Sequence, residues 1–120
     1  MLLQHYELAK KAGNTELLEN HHNFWRDEAT MAEGNPPRML ERGEKVCLPP
    51  ALVFGGDMDE WVPVGVMCKF VADYQKAGGT AELQLYAGAN HGFMTGKPDA
   101  PYAASAIDRM RAFIRQHASG

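Results

Sequence analysis

The chain has 120 residues, of which 45% are hydrophobic and 22% are charged, and its formal net charge is −3. This profile is typical of one folded globular domain at most and excludes a disordered chain. The negative charge argues against nucleic acid and acidic membrane surfaces as partners, and no apolar run approaches the roughly 20 residues of a membrane span.

Residues 1–34 are predicted to be helical. Apolar residues at helical spacing mark a first helix that ends at "GN" (Gly13 and Asn14), and Thr15 can cap a second one. The pair His21-His22 suggests a metal site, but adjacent helical residues point about 100° apart. We therefore predict that both histidines lie on the helix surface.

Residues 35–50, "NPPRMLERGEKVCLPP", read as a connection with one short helix at residues 38–43. The two cysteines, Cys47 and Cys68, lack C-x-x-C spacing and are predicted to be reduced thiols, with Cys68 a buried filler of the next helix. The N-terminus does not resemble a signal peptide. Together these features predict a cytoplasmic protein.

Residues 51–120 read as strand, helix, strand, helix. The uncharged run "ALVF" at residues 51–54 is typical of a strand buried on both faces, and Pro63 suits the first turn of a helix that Gly78-Gly79 ends. The segment "AELQLYAG" alternates like a strand nearer the sheet edge, and Pro101 opens the last helix. This order predicts an α/β unit with parallel strands.

Polar residues follow both predicted strands. "GGDMDEWVP" places Asp57, Asp59 and Glu60 after the first strand, and "GANHGF" places His91 after the second. Ligands of open parallel sheets bind beyond the carboxyl ends of the strands, so His91 and one of the acids are expected to meet there. An acid that accepts a hydrogen bond from an imidazole fixes its tautomer and stabilises its charged form.

Other interpretations of the same residues stay open. Asp57 can be a turn residue, Glu60 a first-turn acid favoured by the helix dipole, Asp59 a helix N-cap and His91 a loop residue. A cation held by the three acids is disfavoured because the segment lacks the further oxygen ligands and glycine spacing of a calcium loop. We therefore expect no metal at these acids.

The segments "GDMDEWVP", "KAGGTAELQLY" and "GANHGF" together resemble the C-terminal part of an α/β-hydrolase. They are most similar to the carboxylesterase and lipase branch that includes hormone-sensitive-lipase-like enzymes. In that family a G-x-x-D-x-x-V-P segment carries the triad acid and an H-G-F segment carries the triad histidine, which match Asp59 and His91. The resemblance implies an α/β fold whose last two parallel strands and flanking helices are present here.

The resemblance implies a serine hydrolase that acts on a small-molecule carboxylic ester. His91 would act as general base and acid, Asp59 would orient it, and no cofactor or metal would take part. Prolyl-oligopeptidase-type serine peptidases have similar motifs and are the alternative, and dienelactone-type hydrolases also remain open. Trp61 and Phe93 flank the two candidates and are themselves pocket candidates: one of them would line an acyl or alcohol pocket, and packing against the sheet is the other interpretation.

The sequence departs from the family at the nucleophile. It has no G-x-S-x-G elbow, and its serines are Ser105 and Ser119, neither of which follows a predicted strand. We therefore expect residues 1–120 to form a partial domain that is inactive alone. In it, residues 1–34 are a helical segment before the penultimate strand, 35–50 a connection and 51–120 the part with the acid and the histidine.

The same departure predicts an open strand edge. The first strand would lack a neighbour on one side, and its unpaired backbone groups would invite self-association or pairing with an N-terminal portion. A non-enzymatic fragment that associates through this edge is therefore the second functional hypothesis.

Overall fold

The computed structural model describes residues 2–118, which form an α/β fold. Its elements are α1 Leu2–Lys11, α2 Thr15–Trp25, α3 Glu28–Glu33, α4 Pro36–Glu41, β1 Ala51–Gly56, α5 Val64–Lys76, β2 Ala81–Tyr86, α6 Phe93–Gly96 and α7 Pro101–Ala118. The predicted order of strand, helix, strand and helix is therefore confirmed. The short helix α6, in the loop that carries His91, is an addition that the sequence pattern does not predict.

The two strands form a parallel sheet. The register runs from Ala51 opposite Ala81 to Gly56 opposite Tyr86, so both strands end at the same edge. The Asp57 amide donates to the Tyr86 carbonyl across a distance of 3.1 Å, which extends the pairing one residue past β1. The loops that follow the two strands therefore begin side by side.

Helices cover both faces of this sheet. On one face Val71 and Tyr74 of α5 form a buried cluster with Ala81 of β2. On the other face Tyr86 packs with residues of α6 and α7, and Phe93 is one of them. Because each helix buries only one apolar stripe, the short sheet is the layer against which these stripes can pack.

Strand β1 is less buried than its sequence predicts. Residues 51–54 are only half-buried, whereas Gly55 and Gly56 are buried. Burial on both faces, as expected for "ALVF", is therefore wrong for residues 51–54. The physical reason is that β1 pairs with β2 alone among residues 2–118, so its other edge has no neighbour to cover it.

The N-terminal helices form a separate group. Helix α1 packs against α2, and the turn between them contains Gly13, whose φ is 66°. The side chain of Asn14, rather than the predicted Thr15, caps α2 by accepting the Leu17 amide at 3.0 Å. Asp27 caps α3 in the same way, accepting the Thr30 amide at 2.8 Å. These helices reach the rest of the chain through α4 and the acid-bearing turn described below.

The two cysteines are both free and exposed. The prediction that Cys68 is buried is wrong, because the buried stripe of α5 runs through Met67 and Val71, and position 68 is rotated about 100° away from it. A cytoplasmic location stays a prediction. In the described part of the chain, no helix has both the length and the hydrophobicity that crossing a membrane requires.

Candidate active site

Asp59 is bound to the turn after β1 through one of its two carboxylate oxygens. Its Oδ1 accepts the backbone amides of Trp61 at 2.9 Å and Val62 at 2.8 Å. The alternative in which Asp59 is a helix N-cap is wrong, because the N-cap of α5 is Pro63 and the two amides that Asp59 accepts lie before the helix. These bonds leave Oδ2 available for another donor, and the side chain is only 8% exposed.

That donor is His91. Its Nδ1 lies 3.0 Å from Asp59 Oδ2. An ionised carboxylate can only accept, so the Nδ1 atom carries a proton, and in the neutral form of the ring Nε2 keeps its lone pair. The His91 side chain is 57% exposed, so this lone pair is accessible from outside. The structure thus brings together the two residues that the sequence singles out, in the arrangement of a base and its orienting acid.

The charge of Asp59 follows from its contacts. Burial alone would raise the pKa of the carboxyl group, but hydrogen bonds from Val62, His91 and Trp61 outweigh burial and lower the pKa below its ordinary value. Asp59 is therefore ionised at neutral pH. An ionised acid at this position stabilises an imidazolium when His91 takes up a proton.

Three contacts tie the acid turn to the histidine loop. Asp57 Oδ1 accepts the Gly88 amide at 2.7 Å, and the Met58 amide donates to the Ala89 carbonyl at 3.0 Å. At Gly56 a Cβ atom would overlap the Ala89 carbonyl, so only glycine permits this close approach. Asp57 therefore links the two loops through the Gly88 amide, which agrees with its interpretation as a turn residue.

The predicted pocket residues differ in their surroundings. Trp61 is half-buried and borders an open depression that also reaches Glu60 and His91. Phe93 is 5% exposed and packs against Tyr86, with ring centroids 5.3 Å apart. Phe93 therefore belongs to the core, although it also borders the apolar cleft described next. A pocket role for either residue stays a prediction.

An apolar cleft of about 350 Å³ opens beside the acid–histidine pair. It is lined by residues of β1, including Val53 and Phe54, and by Asp59, His91 and Met94. Both members of the pair therefore face one apolar space. Within residues 2–118, no group of three or more histidine, cysteine, aspartate or glutamate side chains has the arrangement of a metal site.

The sequence model for the prolyl oligopeptidase family matches residues 3–120. The chain belongs to the prolyl oligopeptidase family. Its members have the α/β-hydrolase fold, which supports serine hydrolase chemistry for this chain. No curated protein and no solved structure is significantly similar to it. The carboxylesterase and lipase branch is not confirmed by this match, whereas the prolyl-oligopeptidase alternative is the branch whose family model matches.

The structure of this prolyl oligopeptidase-family chain contains a histidine cluster near the acid turn, and the sequence pattern does not predict it. His5 Nδ1 lies 3.0 Å from His21 Nε2, and the Tyr6 hydroxyl lies 3.0 Å from His22 Nε2. His21 is 9% exposed, so its predicted position on the helix surface is wrong. The signal available in the sequence was that Gly13 lies midway between His5 and His21, so a hairpin folded at this glycine brings the two together.

The helix histidines have shifted pKa values. Burial is the main cause that lowers the pKa of His5, and the nearby His21 and His91 lower it further. Asp59 acts in the opposite direction without reversing the shift. Burial also lowers the pKa of His21, with His22 as a second cause. Both imidazoles are therefore neutral in the folded protein at a pH at which exposed histidines begin to take up protons.

We expect acid to destabilise the chain through these two histidines. The unfolded chain has histidine pKa values near 6.5. The folded values are lower, so the unfolded state binds more protons just below this pH. The stabilisation is complete above pH ~6.5 and is lost as pH falls through the folded values. Urea midpoints at pH ~7.5 and ~5.5 measure it, with a smaller decrease for His5→Phe. A midpoint that stays constant or rises on acidification contradicts the expectation.

Proposed function

We propose that Asp59 and His91 are the orienting acid and the general base of a serine hydrolase that transfers an acyl group to water. The observation that carries the proposal is the 3.0 Å contact between His91 Nδ1 and Asp59 Oδ2, with Asp59 fixed by two backbone amides. Membership in the prolyl oligopeptidase family supports the same chemistry independently of the geometry.

The chemistry uses the free nitrogen of His91. Nε2 takes the proton of a serine hydroxyl while the serine oxygen attacks the substrate carbonyl carbon, and then gives this proton to the leaving group. Water then attacks the acyl carbon with the same nitrogen as base, the bond from this carbon to the serine oxygen breaks, and Nε2 returns the proton to the serine oxygen. Asp59 stays ionised throughout and stabilises the imidazolium. We propose no metal or cofactor for these steps.

The attacking serine is proposed to come from outside these 120 residues. The sequence contains only Ser105 and Ser119, and neither belongs to a G-x-S-x-G segment. Ser105 lies within helix α7 and not at a strand-to-helix turn, the position that such a nucleophile needs. A segment that supplies a G-x-S-x-G elbow therefore completes the proposed enzyme, and we call that assembly the complemented enzyme.

Two substrate classes follow from two different observations. The motif resemblance favours a carboxylic ester, which is our first proposal, and the family match favours a peptide bond, which is the second. Both substrates undergo the same attack at a carbonyl carbon and differ in the leaving group, an alcohol or an amine. The contacts of Asp59 and His91 serve either reaction.

The uncovered edge of β1 is the proposed surface through which the completing segment joins. Residues 51–54 are half-buried and carry apolar side chains, and β1 has one strand neighbour in the described range 2–118. Helix α7, which contacts β1, also exposes Ile107, Met110 and Ile114 at spacings of three and four. A parallel strand beside β1 would pair its backbone groups, and in its absence the edge favours self-association.

One experiment tests both the need for an external serine and the association through the β1 edge. We expect the isolated 120-residue chain to self-associate in sedimentation velocity and to hydrolyse neither p-nitrophenyl butyrate nor a blocked prolyl peptide p-nitroanilide. Adding an α/β-hydrolase segment that carries G-x-S-x-G is expected to produce a mixed species and turnover of at least one substrate. The preferred substrate then distinguishes esterase from peptidase.

Two outcomes would contradict the proposals. Turnover by the isolated chain that disappears in His91→Ala would refute the need for an external nucleophile. A monomer at every concentration that also fails to bind the added segment would refute association through the β1 edge.

A further inference from the structure

Helix α1 contacts the acid turn through one aromatic pair. The His5 ring lies edge-on to Trp61, with ring centroids 5.5 Å apart and an interplanar angle of 78°. Alongside this contact, Glu7 and Leu8 of α1 border the same shallow depression as Pro63 at the start of α5. Trp61 is also the residue whose backbone amide donates to Asp59 Oδ1 at 2.9 Å. A residue of the first helix is therefore two contacts away from the acid that orients His91.

The orientation of His5 is itself fixed by α2. Its Nδ1 hydrogen bonds to His21 Nε2 at 3.0 Å, and the His21 ring packs edge-on against Tyr6, with centroids 5.7 Å apart. Two neutral imidazoles can share one such bond, because one nitrogen donates and the other accepts. Since burial lowers the pKa of both rings, the pair is neutral and can form this bond.

The neighbouring histidine completes the packing between α1 and α2 without touching the acid turn. His22 Nδ1 lies 3.3 Å from the Arg26 carbonyl, which can only accept, so Nδ1 carries the proton. His22 Nε2 lies 3.0 Å from the Tyr6 hydroxyl oxygen, within hydrogen-bond distance, and so joins α2 to α1. His22 thus stabilises the same pair of helices as His21. Its ring packs against Tyr6 and, within residues 2–118, makes no ring contact with Trp61, so His22 is a matched control for His5.

We propose that His5 is a positioning residue for the acid–base pair. Its ring restricts Trp61, the Trp61 amide holds Asp59 Oδ1, and Asp59 Oδ2 in turn keeps the proton of His91 on Nδ1. The role of this positioning in catalysis rests on the proposed function, whereas its effect on the His91 tautomer is a property of the chain itself. The sequence gives no motif for it, because the contact joins residues 56 positions apart along the chain.

Three substitutions separate positioning from simple anchoring of the helices. His5→Ala removes both the ring against Trp61 and the bond to His21. His5→Phe keeps a ring against Trp61 and loses the bond, and His22→Ala weakens the contact between α1 and α2 while leaving the His5–Trp61 pair in place. Anchoring alone predicts that stability decreases in all three and that His91 does not change.

The measurement is the ¹⁵N chemical shifts of the two ring nitrogens of His91, in the labelled 120-residue chain at a pH where histidine is neutral. Their chemical shifts distinguish a proton on Nδ1 from one on Nε2. We expect Nδ1–H in the wild type, a shift toward Nε2–H in His5→Ala, recovery of the wild-type shifts in His5→Phe, and wild-type shifts in His22→Ala. If His5→Ala does not fold, His5→Gln, which can still bond to His21 but lacks a ring, is expected to show the same shift.

Wild-type His91 shifts in the folded variant that lacks the His5 ring would overturn the inference, and so would an equal change in His22→Ala. These outcomes are distinct from failure of the proposed function. A complemented enzyme that hydrolyses nothing, while the His91 shifts respond to His5 as expected, refutes the function and leaves the positioning role intact. Hydrolysis by the complemented enzyme, together with His91 chemical shifts that do not respond to His5, supports the function and refutes the positioning role.

Discussion

Asp59→Asn is expected to reduce kcat of the complemented enzyme by about 10⁴-fold, the size of effect seen when the orienting acid of a serine triad becomes an amide. The asparagine oxygen can still accept the Trp61 and Val62 amides that Oδ1 accepts now. Its NH₂ group then faces His91 Nδ1 and can only donate, so the imidazole proton moves to Nε2. A protonated Nε2 cannot take the serine proton. Steady-state kinetics with whichever substrate is turned over measures the loss.

The matched control is Asp57→Asn in the adjacent turn. Asp57 Oδ1 accepts the Gly88 amide, and an asparagine oxygen can keep this bond, so we expect activity close to that of the wild type. Combining Asp59→Asn with His91→Ala is expected to cost little more than His91→Ala alone, because the two residues act as a unit. Equal losses from Asp57→Asn and Asp59→Asn would mean that the wrong acid has been assigned.

Gly56→Ala is expected to destabilise the fold by about 3 kcal/mol, the upper part of the usual range for overpacking. The added Cβ atom would overlap the carbonyl group of Ala89, a backbone group that cannot rotate away as a flexible side chain could. The histidine loop must then move, which also weakens the bond from the Met58 amide to this carbonyl. Chemical denaturation measures the decrease in the free energy of unfolding.

Gly65→Ala is the control for this substitution. Gly65 is the second residue of α5, and a Cβ atom there meets open space. Alanine is the better helix former, and because Gly65 lies in the first turn we expect a gain of about 0.5 kcal/mol, the lower end of the range for a helix interior. Opposite signs for the two glycines would support the close approach at Gly56. A Gly56→Ala chain as stable as the wild type would contradict it.

The sequence predicts that Asp59 and His91 lie close together because the two segments that carry them follow one rule. Uncharged β1 and alternating β2 are recognisable as strands, and parallel strands end at one edge of the sheet. Asp59 and His91 therefore come together without any knowledge of the helices around them. The structure adds that one carboxylate oxygen holds the turn while the other orients the imidazole.

Features that depend on long-range packing could not be predicted in the same way. The His5–Trp61 contact requires the docking of α1 onto the acid turn, which no local pattern encodes. The exposure of Cys68 and the burial of His21 depend on which way each helix is rotated. The partial burial of residues 51–54 depends on a strand edge without a neighbour, which is a property of the sheet rather than of the strand.

The protonation of the His91 ring nitrogens in the wild-type chain and in Asp59→Asn tests the central claim most directly. The account predicts that NMR finds the proton on Nδ1 in the wild type and on Nε2 in Asp59→Asn, with Asp57→Asn like the wild type. A wild-type His91 protonated on Nε2, or one indifferent to residue 59, would contradict the pairing on which the proposed chemistry depends.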